Sequence, residues 1–380
     1  MSTAIGKSDE ADTTQHRLLT GDPPWCSYVG VTCYFGSVAQ IILLSLSLVG
    51  SIPNSISSLT SLMILAFYNN GLTGTIPSSI GSLTSLQYLF LQNNFLVSTI
   101  PSSLGSLTSL VYLLLDHNSL TGTIPSSIGL LKSLVELYFN RNSLSGTIPS
   151  SLGSLTSLLF LYLDTNYLLS GTIPSSIGSL TSLQFLEFGS NRLNGTIPSS
   201  IGLLTSLQQL YLDTNSLVGT IPSSIGSLTS LTILGLYGNS LTGTIPSSIG
   251  SLRSLTTLAL HHNSLVGTIP SSTGSLKSLV HLILDHNRLA GTIPSSFSKL
   301  TLMSGLYLDV NYLTMGSATT VPNSTFSHAT LSGSIDLSGN CLAFHYGSIS
   351  VNVTHCAPTS GKSFLLYCMN MSCLGKQHNA

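Results

Sequence analysis

From about residue 38 to 293 the chain repeats the string LxxLxLxxNxLxGTIPSSIGSLTS at a fixed period, a regularity that leaves few folds open. An Ile-Pro pair marks each copy, at Ile52, Ile76, Ile100, Ile124, Ile148, Ile173, Ile197, Ile221, Ile245, Ile269 and Ile293. Nine of the intervals are equal; one is longer by a single residue, which falls inside Tyr167-Leu168-Leu169-Ser170. Two degenerate copies follow, around Leu306-Tyr307-Leu308 and Ile335-Asp336-Leu337. A period of this length is the mark of stacked coils, each touching only its neighbours. One copy cannot bury its own leucines, whereas a stack can.

The chemistry of a single copy predicts its path. In Leu110-Val111-Tyr112-Leu113-Leu114-Leu115 the leucines at spacing two point inward as a short strand, and Tyr112 and Leu114 point outward. Asn118 follows where the chain must turn, and the same position holds Asn70, Asn94, Asn142, Asn166, Asn191, Asn215, Asn239, Asn263, Asn287 and Asn311. A buried Asn there can satisfy backbone groups that a turning chain leaves unpaired, so a structural asparagine ladder is expected. Gly122 permits close backbone approach, and Pro125 prevents an early helix start. The Ser-Ser-Ile-Gly-Ser-Leu segment is too short and too rich in Ser and Gly for an α-helix, which predicts a 3₁₀ turn or irregular stretch. The strands then form a long parallel sheet.

Composition excludes several functions. Charged residues are 6% of the chain and the formal net charge is -1, so no global field recruits nucleic acid or an anionic membrane. The six cysteines lie outside the regular repeats, Cys26 and Cys33 before them and Cys341, Cys356, Cys368 and Cys373 at or after their end. An even number confined to the ends points to disulfide-stapled caps and an oxidising compartment; the C-terminal spacings lack the paired CxxC knuckles of zinc sites. Sequons at Asn194, Asn323, Asn352 and Asn370 are candidate glycosylation sites in that setting. Residues 1–20 hold no apolar signal-peptide core, and the chain has no run of 18 apolar residues, the length needed to span a membrane. The expected organisation is a poorly defined N-terminus (1–20), an N-terminal disulfide cap (21–37), repeats (38–316), a degenerate last repeat with C-terminal cap (317–356) and a Cys-containing tail (357–380).

These copies resemble the plant-type subclass of leucine-rich repeats, which read LxxLxLxxNxLxGxIPxxIGxLxx, and the resemblance covers roughly residues 25–345. The segment from Leu19 to Cys33, with Trp25, resembles that family's N-terminal cap. The resemblance implies an α/β solenoid, a curved superhelix with a parallel concave sheet and short 3₁₀ or irregular convex segments. It also implies a Cys26–Cys33 bond and a Trp25 that covers the first coil. Cys341–Cys356 is the preferred C-terminal pair, with Cys368–Cys373 remaining. Residues 1–17 show no amphipathic cap helix, a departure that a truncated or misassigned start would explain. Family members include cell-surface receptors, secreted inhibitors of wall-degrading enzymes and ice-binding proteins.

No nucleophile elbow or fixed catalytic order is present, so the chain reads as non-catalytic and without cofactor. The outward strand positions Tyr88, Phe90, Tyr112, Leu114, Tyr138, Phe160, Tyr162, Phe185 and Tyr211 carry large apolar groups, whereas later copies relax to Gly235, Thr257, Ala259 and Gly305. They are the candidate ligand surface for a protein, peptide or glycan, bordered by Asp116, Asp164 and Asp213 of an acidic column that continues to Asp285 and Asp309. His261, His262, His281, Asp285 and His286 fall on adjacent copies; they read as solvated surface residues, and no metal is expected. A second surface competes. Threonine precedes each Ile-Pro from Thr75 to Thr292, giving a flank of methyls and hydroxyls like that of ice-binding solenoids. The expected function is extracellular recognition or adhesion, with ice binding as the alternative.

Overall fold

A computed structural model describes residues 24–313 and the two-residue strands Ile335–Asp336 and Val351–Asn352. The chain forms two compact units, Met1–Asn142 and Ser143–Ala380, each taken by itself below.

In the first unit the Leu-x-Leu segments become three-residue strands, Ile64–Ala66, Tyr88–Phe90, Tyr112–Leu114 and Glu136–Tyr138. They pair in parallel at a constant step, Ile64↔Tyr88↔Tyr112↔Glu136. At the N-terminal end Val31–Tyr34 and Ser37–Ile42 form an antiparallel hairpin, and the second of these strands starts the parallel series through Gln40↔Ile64. The disulfide expected for the cap is present between Cys26 and Cys33, with Cα atoms 5.6 Å apart. Trp25 departs from expectation. It lines a cavity of about 450 Å³ with Val38 and Ile41, yet remains 51% exposed.

The second unit continues the pattern in Phe160–Tyr162, Phe185–Glu187, Gln209–Tyr211, Ile233–Gly235, Thr257–Ala259, His281–Ile283 and Gly305–Tyr307, all parallel. Ile335–Asp336 adds to the last of these and Val351–Asn352 to it in turn, one strand more than the sequence marks. Cys341, Cys356, Cys368, Cys373, Asn323 and Asn370 lie outside the described residues.

Between strand and return, each coil passes through a short 3₁₀ turn such as Ser126–Leu130, preceded by Pro125 in extended conformation. Successive bonds Ile128 N–H to Pro125 C=O (3.1 Å) and Leu131 N–H to Ile128 C=O (3.0 Å) hold it. The described residues contain no α-helix. The glycine in most of these turns has a steric cause: a Cβ on Gly105 would lie 2.5 Å from the carbonyl oxygen of Ser127 on the next coil. The doubled serine joins coils too, because Ser127 Oγ donates to Ser102 C=O at 2.6 Å, and Ser224 Oγ to Ser199 C=O likewise in the second unit.

The core is a column of leucine and isoleucine. Leu110, Leu113, Leu115, Leu120, Ile128 and Leu131 are at 0% exposure in one coil, each worth about 1.5–3 kcal/mol of burial. The asparagine ladder is as expected. Asn118 Nδ2 donates to Leu91 C=O (2.9 Å) and Leu115 C=O (3.1 Å), and its Oδ1 accepts from Leu96 N–H at 3.0 Å.

The long copy breaks this ladder in the second unit. Leu169 N–H bonds locally to Asn166 C=O at 2.8 Å, and Asn191 Oδ1 accepts from the Asn166 backbone N–H at 2.9 Å instead. The surplus emerges as a bulge in which Tyr167 is 64% and Leu168 48% exposed.

A second set of short strands runs through the Leu-x-Gly-Thr segments, where sequence reading placed only a turn. Val97–Thr99 pairs with Ser119–Thr123 in the first unit; in the second, Ser143–Thr147, Leu168–Thr172 and Arg192–Asn194 form one ribbon, and Val218–Thr220 with Ser240–Thr242 another. Their step differs from that of the main sheet. Thr99 pairs with Thr121, not Thr123, and Thr220 with Thr242, not Thr244.

Candidate functional site

Because the main strands are in register, their solvent-side residues fall into columns. In the first unit one column reads Ile64, Tyr88, Tyr112, Glu136 and the other Ala66, Phe90, Leu114, Tyr138. In the second unit they read Phe160, Phe185, Gln209, Ile233 and Tyr162, Glu187, Tyr211, Gly235. The aromatic candidates therefore converge on one face within each unit.

These rings do not stand free in solvent. All eight are half-buried, because cross-strand neighbours cover part of each. Tyr88 stacks on Tyr112 with centroids 5.2 Å apart, and Phe90 meets both edge-on at 6.0 and 6.2 Å. Phe160 stacks on Phe185 at 4.8 Å. The smaller residues of later copies have a packing cause as well. A Cβ on Gly235 would stand 3.0 Å from Cδ1 of Tyr211, and one on Gly305 2.6 Å from Nδ1 of His281, so these glycines seat the neighbouring rings.

The acidic border is partly buried. Asp116 and Asp213 are each only 8% exposed, so they are buried groups. The coil turn directs each carboxylate at its successor in sequence: Asp116 Oδ2 lies 2.8 Å from His117 Nδ1, Asp164 Oδ2 accepts from Thr165 Oγ1 at 3.1 Å, and Asp213 Oδ2 from Thr214 Oγ1 at 3.2 Å. Burial raises the Asp116 pKa above the ordinary carboxylate value, and the His117 hydrogen bond opposes it.

Two acids missed in sequence, Glu136 and Glu187, sit in the aromatic columns themselves. The same alternation that placed Tyr112 outward also assigns them there. Burial raises the Glu136 pKa, opposed by a hydrogen bond from Tyr138. Burial is also the first cause of the raised values of Tyr112, beside Glu136, and Tyr211, beside Glu187 and Asp213. Tyr237, one coil beyond Tyr211, is pushed up to about 12 by burial first and then by the Asp213 carboxylate.

Further along the second unit Thr257, His261, His281, Ile283, Asp285, Tyr307 and Asp309 line a cavity of about 550 Å³. His261 stacks on Tyr237 at 4.4 Å, and its burial lowers its pKa, partly offset by Asp285. Away from this face the flank threonines Thr147, Thr172, Thr196, Thr220, Thr244, Thr268 and Thr292 are all exposed, as is Asn194.

Stacked parallel strands, 3₁₀ returns and an asparagine ladder define a repeat solenoid with an extended strand face. Matches to the leucine-rich-repeat families follow this frame, at residues 60–120, 205–265 and 229–289 for one and 133–155 and 182–204 for another. The chain belongs to the leucine-rich-repeat family and is of its plant type. No curated protein matches it. Among solved structures it is similar to a TDR receptor, at 36% identity and TM-score 0.74, over 80% of this chain and 52% of that one. It is similar to a leucine-rich-repeat protein of Leptospira interrogans at 33% identity and TM-score 0.62, over 77% and 70%. The Arabidopsis receptor kinase HAESA, solved with the peptide hormone IDA and the co-receptor SERK1, matches at 28% identity and TM-score 0.53, over 88% and 72%. The chain thus spans about half the length of the TDR receptor chain. Among the described residues no helix is long and apolar enough to cross a membrane.

Proposed function

We propose that this chain is a non-catalytic, extracellular recognition protein that binds a peptide or an extended protein segment on its strand face. The observation that carries this reading is the pairing of stacked aromatics with embedded acids: Phe160 on Phe185, with Glu187 and Tyr211 at neighbouring strand positions and Asp213 just past the strand end. Rigid rings offer contact area at low entropic cost, and half-buried acids select a cationic or hydrogen-bond-donating group between apolar ones. HAESA, which binds a peptide hormone, supports the ligand class. The Cys26–Cys33 bond supports an oxidising compartment. The exposed Asn194 sequon is compatible with a glycan there.

The test is selection of binders from a displayed peptide library, followed by variants within the second unit. Phe185→Ala with Tyr211→Ala should weaken the selected peptide about thirtyfold, or ~2 kcal/mol, without unfolding the coil, since neither side chain belongs to the inward leucine set. Thr196→Ala with Thr220→Ala, on the flank, should leave affinity unchanged. The reverse result would place binding on the flank.

The exposed threonine row favours ice binding as a second reading. Its register works against a lattice of paired threonines: Thr172 pairs with Asn194, and Thr147 with Ser170. A lack of thermal hysteresis at high protein concentration removes this reading.

A further inference from the structure

We propose that His262, Asp285 and His286 form a binding site for a divalent transition metal of the zinc, nickel or copper class. Just before its ladder asparagine each coil passes through a left-handed residue, and in two successive coils this residue is histidine, His262 and His286, both at φ 52. Other coils of the same unit place Thr165, Ser190, Thr214 and Gly238 there. The backbone fixes the two histidines side by side: His262 N–H donates to Asp285 C=O at 3.1 Å, and Asn263 N–H to His286 C=O at 3.2 Å. Their rings stack with centroids 4.2 Å apart.

The third ligand is already in place. Asp285 Oδ2 lies 2.9 Å from His286 Nδ1, with Asp309 Oδ2 at 3.9 Å from the same nitrogen. One donor atom from each of His262, Asp285 and His286 lies within 4.8 Å of the others. Donors about a four-coordinate zinc stand roughly 3.3 Å apart, given metal–ligand bonds of about 2.0–2.1 Å. Small rotations of two exposed imidazoles close that gap while the backbone stays fixed. A metal ion takes the place of the proton between His286 Nδ1 and Asp285 Oδ2, and water or a ligand group completes its shell. Two imidazoles and one carboxylate favour zinc, nickel or copper over calcium or magnesium, which prefer all-oxygen shells.

A neighbouring group supports the arrangement. His261 packs edge-on against His262 at 5.5 Å, and its Nδ1 is buried without a hydrogen-bond partner. Asp285 also lines the cavity next to this trio, which leaves the open coordination positions accessible from the strand face.

Calorimetric titration of the untagged full chain with zinc chloride tests the site. The chain should bind zinc with a rise in melting temperature, and H262Q/H286Q should lose one equivalent together with that rise. D285N should weaken this equivalent at least tenfold. H281Q, which alters the adjacent cavity but not the trio, should retain it. Copper added at one equivalent should show nitrogen hyperfine coupling in its paramagnetic resonance spectrum, and the double variant should lose it. Unchanged zinc stoichiometry and affinity in H262Q/H286Q, or loss of the equivalent in H281Q, overturns the proposal.

Discussion

At the scale of the residue, position 98 carries a local conflict. The residue before the Ile-Pro threonine adopts φ 74 at Gly74 and φ 73 at Gly122, but in the coil between them Ser98 is held at φ 72. A left-handed residue other than glycine costs about 1–2 kcal/mol. Glycine returns about 0.5–1 kcal/mol of that through the greater freedom of its unfolded chain. Ser98→Gly should therefore stabilise the first unit by up to about 1 kcal/mol, read as a higher midpoint in urea; a lower midpoint would refute the strain. Tyr237 makes a pH prediction. Its hydroxyl titrates at about 12 in the folded chain against an ordinary 10.0, so its neutral form is favoured on folding. Below pH 10 both states keep the proton and the contribution is complete. From about pH 10 to 12 only the unfolded chain releases it, so stability falls as pH rises. Absorbance titration of the phenolates should show a late step that Tyr237→Phe removes and Asp213→Asn shifts earlier.

At the scale of the element, the Leu-x-Leu strand and the Pro-led 3₁₀ turn were legible because period-two leucines and a proline act locally. The flank strands were not. Their pairing step, which sets Thr99 beside Thr121 and not Thr123, follows from how coils stack, and no single copy encodes it visibly. The long copy offers the sharpest test of coil geometry. Its surplus residue turns Leu169 N–H away from the ladder, although Leu169 itself stays at 0% exposure. Deleting Tyr167, which is 64% exposed, should restore a coil of ordinary length and return the Leu169 amide to Asn191 Oδ1. Hydrogen exchange at Leu169 should then slow and the thermal midpoint should hold or rise. A drop of several degrees would mean that the bulge is itself a packed feature.

At the scale of the whole chain, the face bearing the aromatics was legible, but its chemistry only in part. Alternation places Tyr88, Tyr112 and Phe185 on the solvent side, yet does not reveal that they stack, that Asp116 and Asp213 are buried, or that Gly235 seats a ring. Those outcomes depend on contacts between neighbouring copies, as where Tyr88 meets Tyr112 and Tyr211 meets Gly235. The same dependence governs stability. In a stack where each coil touches only its neighbours, damage at one end should stay local. The Cys26–Cys33 bond closes a loop with a sequence separation of 7, a crosslink worth about 2–3 kcal/mol in the chain-entropy account. Cys26→Ser with Cys33→Ser releases the hairpin Val31–Tyr34 with Ser37–Ile42, which caps the leucine column of the first unit. Exchange measured by mass spectrometry should accelerate over residues 31–66, fade by the strand Tyr112–Leu114 and leave residues 160–307 unchanged. A uniform acceleration along the whole chain would show that the array unfolds as one cooperative body and that the cap governs all of it.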